Sequence, residues 1–461
     1  MPVVTTARRR FLAQLGALGA AAALPAAALP ARALAAAPPI APRVPDRRLE
    51  ALLAALAAAR PGLPAAPAGP GDEPGWRELR RHFLMPAGDA FFNAGTLGAS
   101  PRVVLDAVLA HQLHVERDLA EWDYDPAHEQ LYAGYYPERE LRARIGRLVN
   151  ADADEIALTG NATTGMNLVA NGLDLGVGDE VVLAAGSHVG SRSGWELRDK
   201  RCGVYLRVVA PPERPADPDA LVALFERATS PRTRVWAIEH LTSATGVRYP
   251  VEALCRRARE RGILTVVDGA QTAGHLVVDV RAMGCDAFFT SPHKWLLAPP
   301  GTGFLFVRRD VQPRLWTTIA SQHWDDQQDG GFRLMQQGTA SRSVLEGLSA
   351  ALDFHFALGS PLVEARAIAL ADRLRAGLAA VPGVAITSPT HPAMRTGTTL
   401  WQVAGLSGRE LQDRLWMLAR VRVRSQGAAV RQCCHVFNLA DEVDRTVEAA
   451  RRVSLGTRQQ K

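Results

Sequence analysis

Val266-Val267-Asp268-Gly269-Ala270-Gln271 ends an apolar run on an acid, and downstream Thr290-Ser291-Pro292-His293-Lys294-Trp295-Leu296-Leu297 sets a lysine between a strand and a Pro/Gly loop. Both stretches belong to a region that alternates strand and helix signals from about Glu155 onward. Strands are predicted at Glu155–Thr159, Glu180–Ala184, Val204–Val209, Val235–His240, Thr265–Asp268, Ala287–Ser291 and Gly303–Val307. Helical patterns separate most of them, as at Val251–Arg261, where apolar residues recur three and four apart. This alternation predicts an α/β fold with a mostly parallel sheet between helices. In such sheets ligands sit at the C-terminal ends of the strands, where Asp268 and Lys294 fall.

After Leu345 the pattern changes to a long helix, shorter strands around Thr398–Val403 and Arg431–Asn438, and a closing helix Glu442–Arg452. This reads as a smaller C-terminal α+β domain over 346–461, following a large domain over 91–345. Residues 38–90, rich in Pro, Ala and Gly in their first part, read as a linker and N-terminal segment with one short helix near 46–60. No internal repeat is visible.

Residues 1–37 read as a targeting segment. Ala7-Arg8-Arg9-Arg10-Phe11-Leu12 resembles a twin-arginine export signal, followed by an Ala/Gly/Leu stretch and a small-residue site at Ala33-Leu34-Ala35. Pro25 and Pro30 interrupt the apolar run, so no stable membrane span is expected. The expected location is periplasmic or otherwise extracytoplasmic. That route moves folded proteins and suits one that loads a cofactor first.

The chain of 461 residues is 47% hydrophobic and 22% charged, enough for two packed domains and a large core. Its formal charge of +6 falls to about +2 without Arg8, Arg9, Arg10 and Arg32, which gives no electrostatic reason to expect nucleic acid. The five cysteines form no C-x-x-C pair, and neither a disulfide framework nor a zinc site is supported. Cys433-Cys434 reads as strand packing. His111 and His114 share a helix face without a third ligand, so no metal site is expected.

Lysine usage narrows the chemistry. Of 53 basic residues only Lys200, Lys294 and Lys461 are lysine. Arginine supplies charge but keeps its proton, whereas a desolvated lysine amine can lose its proton and form an imine. Lys200 sits in a charged run and Lys461 ends the chain; Lys294 alone lies among strand ends. Asp268 either caps the following helix or serves Lys294 across one βαβ-like unit.

Asp268-Gly269-Ala270-Gln271-Thr272-Ala273-Gly274-His275, with Ser291-Pro292-His293-Lys294 and Gly301-Thr302-Gly303, resembles the signature of class V aminotransferases. This fold-type I family depends on pyridoxal 5'-phosphate (PLP) and includes cysteine desulfurases and isopenicillin N epimerase. The resemblance runs from about Phe92 to Val453. It implies that Lys294 is the Schiff-base lysine and the base that moves the α-proton. It implies that Asp268 partners the pyridine nitrogen, which must stay protonated for the ring to act as an electron sink. By the same resemblance Gln271 bonds the ring hydroxyl and His188 stacks on the ring face.

For the phosphate, Asn161-Ala162-Thr163-Thr164-Gly165 opens a helix after a strand, which suits an anion; Thr163 and Thr164 are the expected contacts, the bland alternative being a Thr N-cap. Ser291 and His293 match the family's other phosphate contacts. Thr339, in Gly338-Thr339, resembles the residue that reaches the phosphate of a second subunit, which implies a homodimer. Arg431 falls where the family clamps a substrate carboxylate, a bidentate task suited to guanidinium. Asn93, in Phe92-Asn93-Ala94-Gly95-Thr96, belongs to a segment that folds over the entrance.

One departure bears on activity. Where desulfurases carry a cysteine on a mobile loop, this chain has Arg424-Ser425-Gln426-Gly427-Ala428-Ala429-Val430, short and without cysteine. The expected function is therefore a PLP-dependent enzyme acting at the α-carbon of an amino acid. An aminotransferase comes first and an epimerase second, because no second acid for epimerisation is visible. Desulfurase or C–S lyase chemistry, or a non-catalytic exported binding protein, ranks lower. Neither a G-x-S-x-G elbow nor H-E-x-x-H is present.

Overall fold

The computed structural model describes residues 62–459 apart from 121, 124–129 and 213, together with positions 48, 50, 51 and 54. The expected export signal lies outside the described residues, as does most of the helix expected near 46–60, whose four described positions are helical. Residues 1–50 and 51–461 cluster as separate units. Among the described residues no helix is long and apolar enough to cross a membrane.

A two-residue strand, β1 (Ala90–Phe91), precedes a seven-stranded sheet. Its members are β2 (Ile156–Thr159), β3 (Glu180–Ala184), β4 (Tyr205–Val209), β5 (Thr233–Glu239), β6 (Leu264–Asp268), β7 (Ala287–Thr290) and β8 (Gly303–Val307). They lie in the order β2-β8-β7-β6-β5-β3-β4, and only the β2–β8 and β7–β8 pairs are antiparallel. The expected mostly parallel sheet is therefore present. Every residue of β2, β3, β6, β7 and β8 is buried, which is why these strands read as continuous apolar runs and not as alternations.

The helix between β5 and β6 shows how local sequence sets this packing. Val251, Leu254, Cys255 and Ala258 share its buried face, and burying Val251 and Leu254 contributes roughly 1.5–3 kcal/mol each. It ends at Arg259, two residues short of the predicted Arg261. Gly262, at φ 69°, turns the chain back there toward β6 in a conformation that favours glycine.

A four-stranded antiparallel sheet, β12-β13-β10-β9, follows in sequence, built from β9 (Val384–Ile386), β10 (Thr398–Val403), β12 (Arg424–Gln426) and β13 (Ala429–Cys433). Strand β11 (Val421–Arg422) pairs instead with β1 in parallel. The single long helix expected after Leu345 is two helices, Arg342–Leu358 and Ser360–Ala379. Gly359, at φ 81°, and Pro361 break it. The strand expected at Arg431–Asn438 ends at Cys433, because His435 N donates to Asn438 Oδ1 and Asn438 N to His435 O, closing a turn.

Part of the segment read as linker is structured. Glu73–Arg80 is a helix capped by Asp72, which accepts from Gly75 N. Its Trp76 and Leu79 join Phe83, Trp295, Phe354 and Phe437 in an apolar cluster. Arg366 lies over the Trp76 ring and pairs with Glu73.

Candidate active site

Three strand ends and the loop after β7 supply the site. In the parallel register Glu239 of β5 stands beside Asp268 of β6, and Asp268 beside Phe289 of β7. After β7 the chain turns tightly, with Lys294 N donating to Ser291 O at 3.1 Å and Ala298 N to Pro292 O at 3.2 Å. Two glycines permit the close approaches around this turn. A Cβ on Gly274, itself at φ 82°, would stand 2.5 Å from the Leu296 backbone, and one on Gly98 would stand 2.0 Å from Lys294 O. Leu297 holds φ 62°, a left-handed conformation that costs about 1–2 kcal/mol for a residue with a Cβ. The lysine loop is thus set by its surroundings and not by its own preference.

Lys294 is half-buried, and desolvation lowers its pKa; the Asp268 carboxylate opposes this and the Arg431 cation adds to it. Asp268 is buried too, and desolvation raises its pKa, while Ala270 N, donating to Oδ1 at 2.8 Å, Lys294, Ser191 and His188 favour the anion. No helix begins at Asp268: its Oδ1 bonds the turn that follows, and the next helix, Val280–Met283, is capped by Asp279, so the helix-cap alternative does not hold. His188 is the N-cap of the helix Val189–Cys202, and its Nδ1 accepts from Gly190 N at 3.1 Å. Nε2 therefore carries the ring proton in the neutral form. Burial lowers its pKa first, then Lys294.

Arg431, on β13, is 4% exposed. Nη1 donates to Ser243 O and Oγ at 3.1 and 3.0 Å; Nη2 donates to Asn93 Oδ1 and Thr96 Oγ1 at 3.1 and 2.8 Å. Its Nε is buried without a partner, and among the described residues it forms no ion pair. A buried cation held only by neutral groups is a receptor for an anion. Asn93, expected in the segment over the entrance, accepts from Arg431.

Gln271 is held at both ends of its amide: Nε2 donates to Gly95 O at 2.9 Å, and Oε1 accepts from Trp295 Nε1 at 2.8 Å. One amide N–H remains for a ligand. At the start of the helix Ala162–Gly172 the cap is Asn161, whose Oδ1 accepts from Thr164 N, so the Thr N-cap alternative is replaced by an Asn cap. Thr163 and Thr164 lie in the first turn. Ser291 Oγ accepts from Ala162 N at 2.9 Å, which joins the loop before Lys294 to this helix start. His293 Nδ1 is buried without a partner. Thr339 is not brought to this cluster. It is exposed and lines a separate cavity of about 920 Å³ with Trp122, Tyr132, Tyr135, Tyr136 and Phe332.

Sequence reading missed Glu239, Ser243 and Thr96. Glu239 carries the same signal as Asp268, an acid at the C-terminal end of an apolar strand, and was open to the same inference. Ser243 and Thr96 are ordinary loop residues whose roles appear only once Arg431 is placed.

Residues 92–461 match the aminotransferase class-V family. The chain belongs to the class-V aminotransferase family. Among curated members it is 31% identical over 393 residues to isopenicillin N epimerase of Streptomyces clavuligerus, covering 81% of this chain and 97% of that protein. It is 28% identical over 330 residues to a probable cysteine desulfurase of Methanothermobacter thermautotrophicus, covering 66% and 80%. Among solved structures, a mutant of C-DES with glycine covalently linked to its PLP cofactor superposes with TM-score 0.71 at 25% identity, over 80% of this chain and 98% of that one. The class-V chain thus shares the fold-type I architecture across nearly the whole of that neighbour.

Proposed function

We propose that this class-V enzyme uses PLP to remove the α-proton of an amino acid, and that it is an aminotransferase. The observation that carries the reading is one cluster holding a lysine of lowered pKa, a buried carboxylate and a buried arginine that forms no ion pair among the described residues. The residues fit the cofactor: His293 Nδ1 is buried without a partner, and Ser291 Oγ stands at the start of the helix that carries Thr163 and Thr164. Thr163, Thr164, Ser291 and His293 would hold the phosphate, Asp268 the pyridine nitrogen and Gln271 the ring hydroxyl. Thr339 would act from the second subunit of a homodimer.

Bound PLP supplies a carbonyl carbon that condenses with an amine and a protonated ring that takes up the electron pair left at the α-carbon. Lys294 Nζ, whose pKa burial lowers, is the base that receives the α-proton. The Arg431 guanidinium binds the substrate carboxylate with Asn93, Thr96 and Ser243 fixing its plane. His188 would cover one face of the cofactor ring. Removal of the proton needs only Lys294; epimerisation needs in addition an acid on the opposite side to return it.

Epimerisation is the second reading, favoured by the similarity to the Streptomyces clavuligerus enzyme. Desulfurase chemistry finds no nucleophile: only Gly427 and Ala428 separate β12 from β13, and Cys433 and Cys434 are fully buried. A thiol that forms a persulfide must be exposed.

An NMR time course of the PLP-loaded protein in D₂O, with L-amino acids and with or without a keto acid, tests this. New keto acid and new amino acid, formed only with the acceptor, are expected. Deuterium entering the α-carbon with accumulating D-enantiomer and no acceptor would replace transamination by epimerisation. No exchange with any amino acid would contradict both.

A further inference from the structure

Glu239 takes no part in holding cofactor or substrate, yet it lies 4% exposed at the end of β5. Oε1 accepts from His188 N at 3.1 Å, and Oε2 is buried without a partner. The side chain lines a cavity of about 290 Å³ whose other walls include Leu221, Thr242, Val247 and Tyr249. The titratable groups facing it are Asp268 from β6, Lys294 from the loop after β7, His188 from the loop after β3, and Tyr249 from the loop that leaves β5 itself.

Two carboxyls side by side at the ends of neighbouring buried strands cannot both ionise without a large penalty. Which one keeps the proton follows from the donors. Asp268 has Ala270 N, Ser191, Lys294 and His188 to support its anion. Glu239 has one backbone N–H, Lys294 and Ser187, and Lys294 couples more strongly to Asp268 than to Glu239. We propose that Glu239 and Asp268 form a carboxyl pair holding one proton between them, resident on Glu239. Glu239 is thereby a positioning residue: it keeps the charge of the pair on Asp268 and, through Oε1, fixes the main chain of His188. Burial first, and then the Asp268 charge, push Glu239 up to about 8. Above that pH a second anion forms beside Asp268 and draws positive charge onto the Lys294 amine. The pair belongs to the polypeptide and titrates with or without a cofactor.

Infrared difference spectra of the full-length, cofactor-free protein, with its glutamates ¹³C-labelled, test the pair between about pH 6 and about pH 10. A labelled protonated-carboxyl C=O band should vanish with a midpoint near 8. Glu239→Gln should lack that component, and Asp268→Asn, which carries no label, should move its midpoint down by at least about one pH unit. A band unchanged in Glu239→Gln, or a midpoint unmoved in Asp268→Asn, overturns the proposal. If Glu239→Gln does not fold, the Asp268→Asn shift alone decides.

Discussion

The indole N–H of Trp295 donates to Gln271 Oε1 at 2.8 Å, so the residue that follows Lys294 is bonded to the turn that follows Asp268. The same Gln271 reaches Gly95 through Nε2, and three segments distant in sequence meet on one amide. His275 stacks on Trp295 with ring centroids 3.6 Å apart and planes 4° apart, while His435 lies on the indole at 5.3 Å. Gly397 N donates to His275 Nε2 at 3.0 Å, which leaves Nδ1–H to donate to Gln271 O, also at 3.0 Å. The lysine is thus delivered by a buried polar and aromatic bracket.

Trimming this bracket should separate packing from hydrogen bonding. Trp295→Phe keeps a ring in the stack but leaves Gln271 Oε1 without its donor, at a cost of about 1–3 kcal/mol. Trp295→Ala also opens a cavity and should cost about 3–5 kcal/mol. Urea denaturation of both variants checks this. Equal losses would mean that the ring packing adds nothing beyond the hydrogen bond, and an unchanged Trp295→Phe would mean that the hydrogen bond contributes nothing.

Gly274→Ala should be worse than its single methyl suggests. The residue sits at φ 82°, and the new Cβ would collide with the Leu296 backbone at 2.5 Å. The lysine loop must move, and the loss should exceed about 2 kcal/mol, with weakened PLP retention on dialysis. A variant with wild-type stability and retention would show that this approach does not set the loop.

Acid should destabilise the fold through histidines held neutral. Burial pulls His240 and His275 down to about 3, and His355 and His435 down to about 4. The unfolded chain protonates them near 6.5, so between those values it binds protons that the folded chain does not. Their contribution is therefore present above about pH 6.5 and is lost as pH falls toward 4, each histidine adding about 1.4 kcal/mol per pH unit to the slope. Glu239 acts in the opposite sense: its contribution is present below about 4.5 and lost as pH rises through about 8. His275→Gln should flatten the acid limb of the urea midpoint against pH by about one histidine's worth. An unchanged slope would contradict the assignment.

Arg431→Lys should keep the charge and lose the fork. Three donors in a plane-free ammonium cannot reproduce the bonds to Ser243, Asn93 and Thr96 while also holding a carboxylate in bidentate fashion. KM for the amino acid should rise by about 10–100-fold, corresponding to about 1.5–3 kcal/mol for a charged hydrogen bond. Unchanged KM would place the substrate carboxylate elsewhere.

The large sheet was legible in the sequence because its strands are buried on both faces and read as apolar runs bounded by turns. The break at Gly359 was not, since the apolar positions of the two helices flanking it continue in phase closely enough to pass for one. Lys294 and Asp268 were legible through residue choice: a lysine among arginines, and an acid ending an apolar strand. Glu239 presents the same pattern one strand away, but no lysine follows it across the next unit as Lys294 follows Asp268. Arg431 could be placed only by alignment, because its setting is assembled from Asn93, Thr96 and Ser243, residues scattered over the whole chain.

The central claim, that Lys294 binds the cofactor, is tested most directly by loading the protein with PLP, reducing it with borohydride and mapping the modified peptide by mass spectrometry. The pyridoxyl mass should lie on the peptide containing Lys294 and be absent from the Lys294→Ala protein. Modification only at Lys200 or Lys461, or none at all in protein that has bound PLP, would contradict the account.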